Sequence, residues 1–423
     1  METGRQHVPR DFWERADAAC GAEGALTKAN DDLEAMARRE RLKAARPAGL
    51  SGLVPADGSL AGASGVLEGT SPGAGAASAG DGGWLDAVAR AASEVRGYAQ
   101  KAAVTEVGPG TVEQLTADVV RLSRAYVSAP PLPLFAAMHR GVSRVQAALG
   151  QRLYPAQARD LNFLAGALCG LMANACLDLG REQAADDLAR AAWTHGRIID
   201  HTPLMGWARG TQALAAIWDQ RFADAVRHAE DGLLYVPAGV GAARIHAIHA
   251  RALAACGDAV AARAAMTAAD KARADADADR DELHDSVGGE FAFDAAKLRY
   301  YQALALLDSG DPAGAEQAAA EAIALYEAIP ARDRSYGCAA LARVQLAKAA
   351  LIGNRLEDAI EALGGVLALD PQRRISSLNQ HLDACRELLQ GPAHLSSAAS
   401  RRLDQQLAAF SAESTARALP GES

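Results

Sequence analysis

From Trp84 to about residue 413, apolar positions recur with a helical period in blocks broken by glycine or proline. The breaks fall at Gly108-Pro109-Gly110, Pro130-Pro131, Pro155, Pro203, Pro237, Gly288-Gly289, Pro312, Pro330, Pro371 and Pro392. Five stretches share one design: LDLGREQAADDLARAA, IWDQRFADAVRHAEDGL, AACGDAVAARAAMTAAD, LDSGDPAGAEQAAAEAI and LIGNRLEDAIEALGGVL. Each ends one alanine-rich helix, turns tightly and opens a second. The turns centre on Gly180, Gln220, Gly257, Gly310 and Asn354, at spacings of 40, 37, 53 and 44 residues. A helix pair repeating at this interval cannot bury its own apolar stripe and must stack on its neighbours. The pattern therefore predicts an all-α fold, a right-handed α-solenoid of antiparallel helix pairs. The spacing of 53 contains the run DADADRDELHDS (Asp275 to Ser286) and Gly288-Gly289, and reads as an inserted, solvated acidic loop.

Small residues explain how the pairs pack. Ala225, Ala229 and Gly232 share one helix face, as do Ala359, Leu363 and Val366, so two helices can approach closely. Glycine or asparagine at a turn accepts the left-handed conformation that ends a helix.

Ahead of the repeats, residues 1–45 are charged and read as helical, with Phe12 and Trp13 as a packed pair. Residues 46–83 are dense in Gly, Ala and Ser and read as a flexible linker. The repeats occupy 84–413, and 414–423 reads as a disordered tail.

Composition narrows the class further. Half the chain is apolar but only 5% is aromatic, a helix-former's balance that leaves little for strands. The net charge of −9 and the lack of a long basic run argue against non-specific nucleic-acid binding. The patch Ala37 to Arg46 reads as a solvated helix end. No run of 18 uninterrupted apolar residues occurs, and the first residues lack the apolar core of a signal peptide, so a cytoplasmic protein with no membrane partner is expected.

Chemistry-bearing motifs are few. The six cysteines, Cys20, Cys169, Cys176, Cys256, Cys338 and Cys385, form no CxxC pair and read as buried small hydrophobes. His246 and His249 sit one helical turn apart but without HExxH, so no metal site is expected. The Asp275 run has Arg280 and Ser286 where a calcium loop needs glycine and glutamate. No P-loop, dinucleotide fingerprint or GxSxG elbow is present, so neither cofactor nor catalytic residue is assigned.

The units resemble tetratricopeptide repeats (TPR). Gln220-Arg221-Phe222 with Ala225, Ala229, Gly232 and Pro237 follows that pattern, as does Asn354-Arg355-Leu356 with Ala359, Leu363, Val366 and Pro371. The other three units keep the alanines without the closing proline. The whole chain also resembles actinobacterial regulators that join an XRE-type helix-turn-helix to a repeat domain. That likeness lies in ETGRQHVPRDFWERAD (Glu2 to Asp17), the following GAEGAL, and DELHDSVGGEFAFDAAKLRYYQALALL (Asp281 to Leu307). In that family the DNA-reading helix precedes the E-x-G-R step, where Met1 stands here. The resemblance implies that 1–45 is the remnant of a DNA-binding domain, and that DNA is a partner only if a helix-turn-helix lies upstream.

Projecting the tetratricopeptide register onto the turns puts Asn174, Trp207, Arg244, Arg251, Lys297, Tyr300 and Lys348 on the concave side. Basic and aromatic groups on an acidic chain suit an acidic or carboxylate-bearing partner. A protein or peptide is the first expectation and a small-molecule effector the second, with homodimerisation as a further option. The function expected is the sensing part of a non-catalytic transcriptional regulator, and the alternative is a stand-alone interaction scaffold.

Overall fold

The computed structural model describes residues 81–275, 280–394 and 397–414. The chain divides into two units, Met1–Ala87 and Val88–Ser423. The predicted N-terminal segment lies outside the described residues, as does the predicted linker up to residue 80. The linker's last three positions open the first described helix, α1 (Asp81–Ala102).

Among the described residues the second unit is all helical, with no strand. Its helices form seven sequential pairs. They are α2 (Pro109–Tyr126) with α3 (Pro131–Leu149), α4 (Pro155–Asp178) with α5 (Glu182–Ile198), α6 (Thr202–Trp218) with α7 (Phe222–Tyr235), and α8 (Gly239–Ala255) with α9 (Ala259–Ala274). Then come α10 (Ala295–Asp308) with α11 (Pro312–Ala328), α12 (Tyr336–Ile352) with α13 (Leu356–Leu367), and α14 (Ser376–Leu389) with α15 (Ala398–Ala412). Each first helix packs on its own partner and on the first helices of the flanking pairs. This neighbour-to-neighbour stacking is that of an α-solenoid.

The inner row closes on itself. Helix α14 touches α4, and the 3₁₀ turn Pro371–Arg373 touches α3. Tyr336 donates its backbone N–H to the Val127 carbonyl at 3.1 Å. The Trp218 and His381 rings meet edge to face at 5.6 Å, joining α6 to α14. Helix α2 keeps an exposed face, with Glu113, Gln114, Ala117, Arg121 and Arg124 in solvent, but nearly all of α4 from Leu161 to Leu177 is buried. Helix α4 is long and apolar enough to cross a membrane, but 89% of that stretch is buried inside the fold. A core helix meets the same description as a membrane span.

Close approach depends on missing side chains. A Cβ on Gly166 would collide with Leu204 of α6, and one on Gly206 would meet Val236 at 2.7 Å. Ala225, Ala229, Gly232, Ala359, Leu363 and Val366 are all buried, as their spacing predicts.

All five predicted turn centres have positive φ, from 57° at Gln220 to 85° at Gly257. After each, the next N–H reaches back to a carbonyl five residues earlier, as in Arg221 to Ala216 at 2.8 Å and Arg355 to Ala350 at 2.9 Å. These are Schellman closures. Gln220 and Asn354 hold this conformation despite carrying a Cβ.

The 53-residue interval is not simply a solvated loop. Residues 276–279 lie outside the described residues, but Glu282–Val287 form a π-helical turn that buries Leu283, His284 and Val287. A 3₁₀ turn, Gly289–Phe291, follows and buries Glu290 and Phe291. Ser123 of α2 donates to the Gly288 carbonyl at 2.6 Å and accepts from the Glu290 N–H at 3.2 Å. Gly289 has φ +61°, and a Cβ there would collide with the Ser123 carbonyl. The insert is thus pinned across the start of the repeats, deep in the fold. At the other end, Ser414 belongs to the fold and not to a tail, because it is buried and donates to the Arg374 carbonyl at 2.7 Å.

Two stability predictions follow from these backbone constraints. Gln220→Gly relieves a left-handed residue at an exposed turn and should stabilise the protein by about 1 kcal/mol. Gly289→Ala should destabilise it by roughly 2 kcal/mol. Urea unfolding read by circular dichroism checks both, and opposite signs are expected.

Candidate functional site

A cavity of about 100 Å³ lies where the inner helices converge. One water needs on the order of 10–15 Å³ on this measure, so the space holds several waters or a small molecule. Helix α2 brings Tyr126, α4 brings Asn174 and Asp178, α6 brings Trp218, and α8 brings Arg244 and Arg251. Lys297, Tyr300 and Tyr301 come from α10, Tyr336 and Cys338 from α12, and Ser377 from α14. The insert adds Glu290.

Five of the seven residues projected onto the concave side meet at this cavity: Asn174, Arg244, Arg251, Lys297 and Tyr300. Trp207 does not line it. Its buried ring lies beneath Arg244, whose guanidinium carbon is 3.6 Å from the ring centroid, with Phe291 edge-on at 4.8 Å. Lys348 is half-buried and outside the lining. Its charge is felt by Asp308, His381 and Cys385. The site is also no open groove, since Arg244 is 2% exposed and Arg251 4%.

The two arginines are treated differently by their surroundings. Arg244 Nη1 donates to the Trp207 carbonyl at 3.2 Å, and Nη2 to Thr211 Oγ1 at 3.1 Å. The guanidinium occupies the space left by Gly210, where a Cβ would collide with Nη1. Burial pulls its pKa down to about 10, which still leaves it charged at neutral pH. Arg251 lies over Trp218 at 5.4 Å and Tyr301 at 5.3 Å, and its buried Nε has no hydrogen-bond partner. Neither arginine forms an ion pair among the described residues.

The remaining charges are held in pairs. Lys297 Nζ donates to Glu290 Oε1 at 2.8 Å, and Asn174 Nδ2 donates to the same oxygen at 2.9 Å. Burial opposes the Lys297 charge, but Glu290 more than offsets it and the net pKa is raised. Tyr126 donates to Asp178 Oδ2 at 2.6 Å. Burial pushes the Asp178 carboxyl up to about 7, with the Tyr126 hydrogen bond acting against the rise. Burial also raises the Cys338 thiol.

Glu290 was not singled out from the sequence. It falls in the insert, outside the repeat register, and only its place within the segment Asp281 to Leu307 hinted at it. Cysteine usage also differs from expectation. Cys169, Cys176 and Cys385 are buried, but Cys256 is exposed and Cys338 is half-buried at the cavity wall.

Compared with known proteins, the chain matches no family model and no curated protein sequence.

The Asp178 shift fixes a pH dependence. A carboxyl whose folded pKa is raised to about 7 binds its proton more tightly folded than unfolded. Its favourable contribution is complete below the unfolded value near 3.8 and is lost as pH rises through 7. Asp178→Asn keeps an acceptor for Tyr126 without the charge. It should melt higher than the wild type at pH 8, by at least about 1 kcal/mol, with the difference fading towards pH 4. Calorimetric melts across that range check this.

Proposed function

We propose that the repeat unit is the ligand-binding, sensing part of a non-catalytic regulatory protein, with a small-molecule effector held in the axial cavity. The observation that carries this reading is the convergence of every first helix, from α2 to α14, on one cavity. A ligand there touches all the repeats at once, so its binding bears directly on their curvature.

The family reading is TPR-like. It rests on the turns at Gln220 and Asn354, the buried small residues that follow them, and the stacking of pairs. The regulator reading rests on the likeness of Glu2 to Asp17 and Asp281 to Leu307 to XRE-type regulators. The insert within that second segment supplies Glu290 to the cavity, which favours sensing over scaffolding. Burial of Arg244 and Arg251 favours a small effector over a protein partner, because a folded surface cannot reach them. Binding is favoured over nucleophilic chemistry because the cavity's one thiol, Cys338, is held protonated by burial.

Gly337 offers a test. It lines the cavity in the first turn of α12, and an added Cβ meets only Ile375, at 3.1 Å. After incubation with a small-molecule extract of its host cells, the wild-type chain should retain a low-mass compound in native mass spectrometry. Gly337→Phe, folded by circular dichroism, should retain none. Equal retention by both proteins removes the cavity as the binding place, and retention by neither removes the effector reading.

A further inference from the structure

The cavity carries an imbalance that its own residues leave unresolved. Its carboxylates are committed: Glu290 to Lys297 and Asn174, and Asp178 to Tyr126. Arg244 and Arg251 bring two positive charges from one helix with no carboxylate in direct contact among the described residues; Glu290 acts on Arg244 and Asp308 on Arg251 only from a distance. Burying a cation without an anion is costly, and removing such a partner typically weakens a fold by several kcal/mol. Arg244 spends two donors on the Trp207 carbonyl and Thr211. Arg251 makes no such bond, and its Nε is buried and unpartnered beside the cavity.

A second orphan belongs to the same lining. Asn174 must turn its Nδ2 towards the Glu290 carboxylate, which accepts and cannot donate. That fixes Oδ1 as a buried acceptor with no donor. The same lining carries four aromatic rings, Trp218, Tyr300, Tyr301 and Tyr336.

We infer that the cavity is built for a small planar acid, with its carboxylate on Arg251 and Arg244 and a hydroxyl donor on Asn174. This rests on reading the cavity as a ligand site. A carboxylate supplies the acceptors that a guanidinium fork lacks, and a flat body suits the aromatic side chains of the lining. The hydroxyl supplies the missing donor to Asn174 Oδ1.

The test compares four probes by titration calorimetry on the whole chain: 4-hydroxybenzoate, benzoate, 4-hydroxybenzyl alcohol and inorganic phosphate. The first should bind best. Benzoate should bind more weakly in the wild type, and equally with 4-hydroxybenzoate in Asn174→Ala. The neutral alcohol should bind at least tenfold more weakly than the acid of the same shape. Arg251→Gln should lose at least tenfold for 4-hydroxybenzoate and nothing for the alcohol, and Arg251→Lys should fall between. The comparison of acid with alcohol uses only the wild type, so a poorly folding variant does not blunt it. Alcohol binding as tight as the acid overturns the anion assignment while leaving a ligand site. Phosphate binding tighter than 4-hydroxybenzoate overturns the planar acid. If none of the four binds, the inference fails, and retention of a compound from cell extract decides separately whether the cavity holds anything.

Discussion

Everything in this fold depends on helices that touch where side chains are absent. Gly166 against Leu204, Gly206 against Val236 and Gly210 against Arg244 are places where one added methyl group would displace the neighbouring side chain. These contacts set how closely α6 sits against α4, α8 and the residue that ends α7. The closing contact of α14 with α4 exists only while each step keeps its spacing. The convergence of α4 and α14 on the cavity follows from that closure. A row of the same helices at slightly wider spacing would leave an open groove and expose Arg244 and Arg251.

The insert between α9 and α10 does a second job that the repeats cannot. A stacked pair presents one face inward, and the residues on it must also pack. Glu290 is delivered instead from a short turn pinned to Ser123, so its carboxylate reaches Lys297 and Asn174 without competing for a helix face. That pin crosses more than 160 positions of chain. It ties the first pair to the fifth, and it makes the electrostatics of the cavity depend on how α2 sits.

Much of the repeat architecture was legible because it is local. A glycine or asparagine at the turn, as at Gly180 or Asn354, and an alanine a few residues into the next helix are written within ten positions, and the spacing of turns then gives the stacking; the positive φ of Gln220 was not legible in this way. The cavity was legible only as a register. Projection brought Arg244, Arg251, Lys297 and Tyr300 to the inner side, since residues on one face of successive first helices must share it. It could not reveal that the row closes. That closure depends on contacts between α14 and α4, some 200 positions apart, for which a repeat period carries no signal. Trp207 was misplaced for a related reason. Its register is correct, but Gly210 lets the Arg244 guanidinium lie across its ring and bury it. The acidic run was misread from its composition: Asp281 is polar because it caps the π-helical turn through the His284 N–H at 2.9 Å, while Leu283 and Val287 carry the burial.

The electrostatics also bear on how such a cavity could signal. Two guanidiniums on one face of α8 repel each other, and burial weakens the screening that water would give. Neutralising that repulsion changes the energy of α8 relative to its neighbours. Helices α4 and α14, which line the same cavity, touch each other, and Ser376 at the start of α14 approaches the turn residue Gly180 just beyond α4. An anion in the cavity would favour the closed row by however much better it binds that arrangement than an open one. A ligand that bound two arrangements of the row unequally would couple the cavity's charge to that closure.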